Sequence, residues 1–114
     1  MKKTIKRCKQ IGLKTAVFAQ DLNEAKKIEK LHPNFLIVEP PELVGGKISV
    51  STAKPELIKK ISKSLRMKFL VGAGIHNRKD VQVALKLRAS GIAVSSSVMT
   101  SKNPEKILKE LIGK

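Results

Sequence analysis

One recurring unit constrains this chain more than any other feature: a short apolar run, a polar or glycine-rich turn, then an amphipathic helix. The runs are Thr15–Phe18, Phe35–Val38, Phe69–Val71 and Ile92–Val94. Each is continuous and not alternating, which predicts strands buried on both faces, as in a parallel sheet. The segments between them carry helix signals. Asp21 with Glu24 three residues on reads as a capping box, with Leu22, Ala25, Ile28 and Leu31 on one face. Pro55 suits a first helical position ahead of the stripe Leu57, Ile58, Ile61 and Leu65. Asn77 and Asp80 read as a further cap before Val81, Ala84 and Leu85. Asn103 and Pro104 open the last helix, where Ile107, Leu108, Leu111 and Ile112 are expected to face inward and Gly113 to cap the end. One more helix, Thr4–Gln10, precedes the first strand.

The order α-(βα)4 implies an α/β fold of parallel strands joined by right-handed crossovers. The 114 residues read as a single domain, 1–114, and the 41% apolar content excludes a disordered tail. Four such strands make either a small open sheet or half of a (βα)8 barrel, whose usual size is about 250 residues. Length alone favours the open sheet; the strand ends favour the half barrel.

Charge and composition narrow the function. The net charge of +15 comes from 24 Lys and Arg against 9 Asp and Glu. That suggests nucleic acid, an acidic membrane surface or an anionic substrate. Yet no basic run exceeds two residues, and Phe18, Phe35 and Phe69 are the only aromatic side chains, all in strand-like runs. Base-stacking platforms need aromatics beside basic grooves, so nucleic acid is not the expected partner. No apolar run approaches the roughly 20 residues of a membrane span. Met1-Lys2-Lys3-Thr4 does not resemble the start of a secretion signal, and the lone Cys8 allows neither an internal disulfide nor a cysteine zinc site. A soluble, cytoplasmic protein is the expectation.

In parallel α/β folds chemistry collects at the carboxyl ends of strands. Here those ends read Glu39-Pro-Pro-Glu-Leu-Val-Gly-Gly46, Gly72-Ala73-Gly74 and Ser95-Ser96-Ser97. Small residues let backbone N–H groups approach an anion, and a helix start adds a favourable dipole. Two such turns on consecutive late strands are the usual phosphate site of a (βα)8 barrel. Taken singly, the glycine turn also fits tight packing, and the serine turn an ordinary cap. Apart from Asp21, which has a capping role, Glu39 is the only ionisable side chain that abuts an apolar run at its carboxyl end. Pro40 and Pro41 forbid an immediate helix there and set an extended exit. A carboxylate at the mouth of an apolar strand is partly shielded from water, a setting that suits a general base. An exposed loop acid is the alternative. Glu42–Gly46 has prolines at one end and glycines at the other, which fits a hinged lid or a static loop. His76, just past the glycine turn, reads first as a helix N-terminal position and second as an anion contact. His32 falls away from the functional face, and Cys8 joins Ile5 on an apolar stripe. No residues have metal-ligand spacing.

The segments IVEPPELVGG, ISVSTAKPE, FLVGAGI and AVSSSVMTSKNPEKIL closely resemble the second half of archaeal triosephosphate isomerases, over Gly12 to Leu111. The resemblance implies strands 5–8 of the barrel and an isomerase of glycolysis and gluconeogenesis. It also implies that Glu39 is the catalytic base and that the segment from Pro40 to Gly46 is the lid. Val44, Gly45, Gly72, Ala73, Gly74, Ser95 and Ser96 are implied to hold the phosphate, mainly through backbone amides. It implies no cofactor and no metal, and a triose phosphate as substrate. The family lid usually continues Gly-Thr-Gly, where this chain has Gly45-Gly46-Lys47; its last loop usually reads Ala-Ser-Gly, where this chain has Ser95-Ser96-Ser97. The family's other site residues, a lysine and an asparagine after strand 1 and a histidine after strand 4, belong to its first half; neither His32 nor His76 matches that histidine. The expected partner is therefore a separate N-terminal half chain or a further copy in a homo-oligomer. The alternative reading is a non-catalytic phosphate-binding or assembly half barrel.

Overall fold

A computed structural model describes residues 1–114. Four parallel strands form one open sheet in the order β1-β2-β3-β4: β1 (Ala16–Ala19), β2 (Phe35–Val38), β3 (Phe69–Val71) and β4 (Gly91–Ile92). Seven helices accompany them: α1 (Lys2–Gln10), α2 (Leu22–Glu29), α3 (Val50–Ala53), α4 (Pro55–Ser64), α5 (Arg78–Lys86), α6 (Ser96–Met99) and α7 (Pro104–Ile112). The α-(βα)4 order holds, with α3 and α6 as additional single turns ahead of α4 and α7.

The capping chemistry appears largely as expected. Asp21 Oδ1 accepts from the Glu24 amide at 2.8 Å, while Glu24 reaches back to the Gln20 amide and not to that of Asp21. Asn77 caps α5 and Asn103 caps α7 by the same side-chain bond, and Gly113 ends α7 in the left-handed conformation with φ 77°. The prolines after Glu39 behave differently from expectation. Pro40 is extended, but Pro41 opens a 3₁₀ turn over Pro41–Leu43, because a proline is tolerated at the first position of such a turn.

The two faces of the sheet have different fates. Side chains alternate along a strand, and the parallel register aligns Leu36, Val38, Phe69 and Val71 on one face. These four are buried, packed with Ile28, Ile58, Ile61, Val81, Ala84 and Leu111 from the helices. On the other face Phe18 and Phe35 remain 51% and 45% exposed. The expectation of strands buried on both faces thus holds fully for one face; on the other only Ile37, at the middle of the sheet, is buried, since the helices that build the core all pack on the first face. The face left open is the one turned away from the helices. β1 and β4 are both free edges of the sheet.

α7 departs from expectation in the same way. Leu111 is buried and Ile107 partly so, but Leu108 and Ile112 are 45% and 57% exposed. Successive residues turn by about 100° around a helix, so one pair lies on the side packed against α5 and α6 while the next faces solvent. Leu85, at 43% exposed, also lies outside the core. No helix is long and apolar enough to cross a membrane.

Candidate active site

The carboxyl ends of β2, β3 and β4 converge because adjacent parallel strands end level with one another. Their ladders continue one residue further: the Glu39 amide donates to the Ala19 carbonyl, Gly72 to Val38 and Ala93 to Val71, each at 2.8 Å. Beyond those bonds the chain turns away, leaving an open cleft of about 360 Å³. Glu39, Val44, Gly45, Ala73, Gly74, Ser95 and Ser96 all line it. Gly72 does not line it but lies beneath Glu39. Phe18, Ile75, His76, Ala93, Val94 and Ser97 complete the wall. Ser97 belongs to the serine turn, and His76 has an anion contact as its second reading. Phe18, Ile75, Ala93 and Val94 carry no motif, and only their position next to the strand ends could have pointed to them.

Glu39 is half-buried and its carboxylate forms no hydrogen bond or ion pair with any other group of the protein. This sets it apart from the other acids. Asp21, Glu24, Glu29 and Asp80 accept from backbone amides, and Glu42, Glu56 and Glu105 pair with lysines. Glu110 alone shares its lack of partners, but it is exposed on α7. A half-buried carboxylate with free lone pairs is chemically equipped to take a proton from a bound molecule.

The turn after β3 is shaped by close approach. Ala73 and Gly74 both adopt left-handed backbone, φ 77° and 66°. At Ala73 this costs about 1 kcal/mol, because a Cβ crowds the carbonyl in that conformation. At Gly74 a Cβ would lie 2.1 Å from the Ile48 carbonyl oxygen, so only glycine fits. The Val50 amide donates to the Ala73 carbonyl at 3.1 Å, which joins the segment after Gly46 to this turn. Buried Ser49 caps α3 by accepting from the Thr52 amide, and Ser51 donates to the Asp80 carbonyl.

The cleft offers several backbone donors. The amides of Gly45, Ala73, Gly74 and Ser95 bond to no group of the protein. Those of Val44 and Gly46 are engaged within the loop, with Pro41 and Leu43. None of the lysines or arginines lines the cleft. The large positive charge lies elsewhere on the surface. Besides Glu39, the one titratable side chain in the wall is His76, whose Nε2 is 2.7 Å from the Gly46 carbonyl. The loop has one ion pair: Glu42 meets Lys54, whose ammonium hydrogen bond holds the Glu42 carboxyl below the usual carboxylate range. Glu56 is lowered in the same way by a side-chain hydrogen bond from Lys59.

Comparison with known proteins agrees with this architecture. Residues 3–111 match the model of the triosephosphate isomerase family. Triosephosphate isomerase from Thermoplasma volcanium is 45% identical over 112 residues, covering 96% of this chain and 53% of that enzyme. The Methanocaldococcus jannaschii enzyme is 40% identical, covering 95% and 52%. That of Saccharolobus solfataricus is 42% identical, covering 95% and 49%. The chain thus spans about half the length of the curated relatives it matches. In structure it resembles half of larger barrels. A mutant tryptophan synthase α-subunit from Pyrococcus furiosus superposes with a TM-score of 0.77 at 23% identity, over 99% of this chain and 50% of that one. Thiamine phosphate pyrophosphorylase from the same organism gives 0.74 at 26% identity, over 96% and 52%. The sheet and helices are therefore half of a TIM-type (βα)8 barrel, and with the family model matching almost from end to end, the chain belongs to the triosephosphate isomerase family.

Proposed function

We propose that this chain supplies the base, the lid and the phosphate grip of a triosephosphate isomerase. In this reading Glu39 takes a proton from the carbon beside the carbonyl of dihydroxyacetone phosphate. It returns that proton to the neighbouring carbon through an enediolate, giving glyceraldehyde 3-phosphate. The Gly45, Ala73, Gly74, Ser95 and Ser96 amides receive the phosphate, Val44 closes over it, and Gly72 leaves room for the carboxylate. A helix start at Ser96 adds to the favourable potential, although α6 is a single turn. The observation that carries the reading is the placement of an unpaired carboxylate and unengaged backbone amides in one cleft.

The electrophile and a lysine come, in this reading, from a complementary half that covers the open face of the sheet. That half is either a separate chain or part of a larger assembly, and a homo-oligomer is the competing arrangement. The isolated 114 residues should isomerise triose phosphate far more slowly than the assembled barrel, because a base without its electrophile loses orders of magnitude in rate. The test is isomerase activity measured together with mass in solution, with and without the first half of an archaeal relative. Absence of activity in every combination, with the complex formed, rejects the enzymatic reading. The absence of lysine and arginine from the cleft favours one second reading, a phosphate-binding half barrel without turnover. Binding of a phosphocarboxylate by a complex that has no activity would select it.

A further inference from the structure

We infer that His76 is a positioning residue that latches the lid to the wall of the cleft. The inference rests on the reading of Pro40–Gly46 as a lid over a phosphate site. His76 stands one residue before the Asn77 cap of α5, and its amide donates to Asp80 Oδ2 at 3.0 Å. Asp80 Oδ2 is on the first turn of α5, so the backbone at His76 is held by a rigid element. Its ring then crosses to the loop, where Nε2 lies 2.7 Å from the Gly46 carbonyl oxygen. A carbonyl can only accept, so Nε2 carries the proton and the imidazole is the donor.

The contact falls where the loop changes character. From Ile48 to Val50 the chain is fastened to the β3 turn, by the Val50–Ala73 bond and by the close approach of Ile48 to Gly74. Before Gly46, Val44 is 55% exposed and Gly45 has open space around it with φ 69°. Gly46 is the boundary between the fastened and the free part. Leu43 packs against the core at the start of the loop, but apart from the exposed Glu42–Lys54 pair the His76 bond is the only side-chain hydrogen bond on the loop, and the only one at its Gly46 end. Exposed ion pairs contribute little. The imidazole therefore sets where the Gly45 amide stands relative to the Ala73 and Gly74 amides. A side chain assigned by sequence to the start of a helix thereby acts on the far side of the cleft.

The test uses the full chain with His76→Ala and His76→Gln, since a glutamine Nε2 can replace the ring donor. Amide hydrogen exchange is read at Val44 and Gly46, and binding of inorganic phosphate by calorimetry. His76→Ala should speed exchange at both amides about tenfold, the effect of one lost hydrogen bond. It should weaken phosphate binding several-fold, and His76→Gln should recover most of both. Unchanged exchange in His76→Ala, or acceleration spread evenly over the strands, overturns the latch. Failure of the unsubstituted chain to bind phosphate counts against the phosphate-site reading, while the exchange measurement still decides the latch.

Discussion

Glu39 and Gly72 are in such close apposition that a Cβ on Gly72 would lie 2.9 Å from Glu39 Oε1. The absence of a side chain at the end of β3 is what lets the carboxyl group at the end of β2 occupy its place. Gly72→Ala should therefore move the Glu39 carboxylate, the proposed base, and not break the fold. The obstruction is the far end of a flexible side chain, so stability should change by about 1 kcal/mol or less. Activity of the assembled enzyme should fall about a hundredfold, the order expected for a reacting group displaced by 1 Å. Urea denaturation and steady-state kinetics on one preparation separate the two effects.

Glu39→Gln should leave the urea midpoint of the chain within error, because the carboxylate has no partner to lose. Turnover in the assembled enzyme should drop by about 10²–10⁴-fold, the contribution typical of a general base. Activity within tenfold of the parent would remove Glu39 from the chemistry.

Gly74 and Gly45 share a left-handed backbone but not an environment. Gly45→Ala meets open space, so its cost is that of the backbone alone, about 1 kcal/mol. Gly74→Ala drives a methyl group into the Ile48 carbonyl and requires the two segments to separate. Its cost should exceed that of Gly45→Ala by about 2 kcal/mol or more. Equal midpoint shifts in urea would contradict this difference.

Phe35 and Leu36 are neighbours in β2 with opposite fates. Leu36 is fully buried against the helices, and Leu36→Ala should destabilise the chain by about 2–5 kcal/mol. Phe35 is 45% exposed, so Phe35→Ala should cost the isolated chain far less. The same change should weaken association with a complementary half, whose barrel interior would cover that ring. Sedimentation of mixed halves reads the second effect and urea denaturation the first.

Glu42 bears on pH. Its carboxyl is lowered chiefly by the hydrogen bond from Lys54, so the pair helps to hold the loop above the ordinary carboxylate range. That help fades as the pH falls through the depressed value of the folded chain. The group is exposed, so salt should weaken the effect. An NMR titration of the Glu42 carboxyl should show a rise toward the ordinary range in Lys54→Met, with the lowering from the backbone hydrogen bond remaining.

Much of the fold is legible in the residues because its signals are local. β2 and β3 occur at the boundaries that their apolar runs suggest, and Asp21, Asn77, Asn103 and Gly113 cap the helices as their chemistry demands. The short helices α3 and α6 were not legible, since four residues carry no periodicity. The inward assignment of Leu108 and Ile112 failed for another reason. Periodicity shows that a helix has an apolar side, but not whether a neighbour covers all of it.

The same division applies to the site. Strand ends, small-residue turns and one acid beside prolines are patterns of sequence, and they sufficed to pick out Glu39, the loops and the family resemblance. Three other facts depend on distances between segments far apart in the chain. Glu39 has no partner, no lysine reaches the cleft despite a net charge of +15, and His76 bonds across to Gly46. Composition sets how much charge a chain carries; only packing sets where it lies. Four βα units, and the acid and small-residue turns at their ends, are written in local stretches of residues. Packing placed α2 to α7 against one face of the sheet and left Phe18 and Phe35 exposed on the other, because right-handed crossovers in this strand order return each connecting helix to the same side.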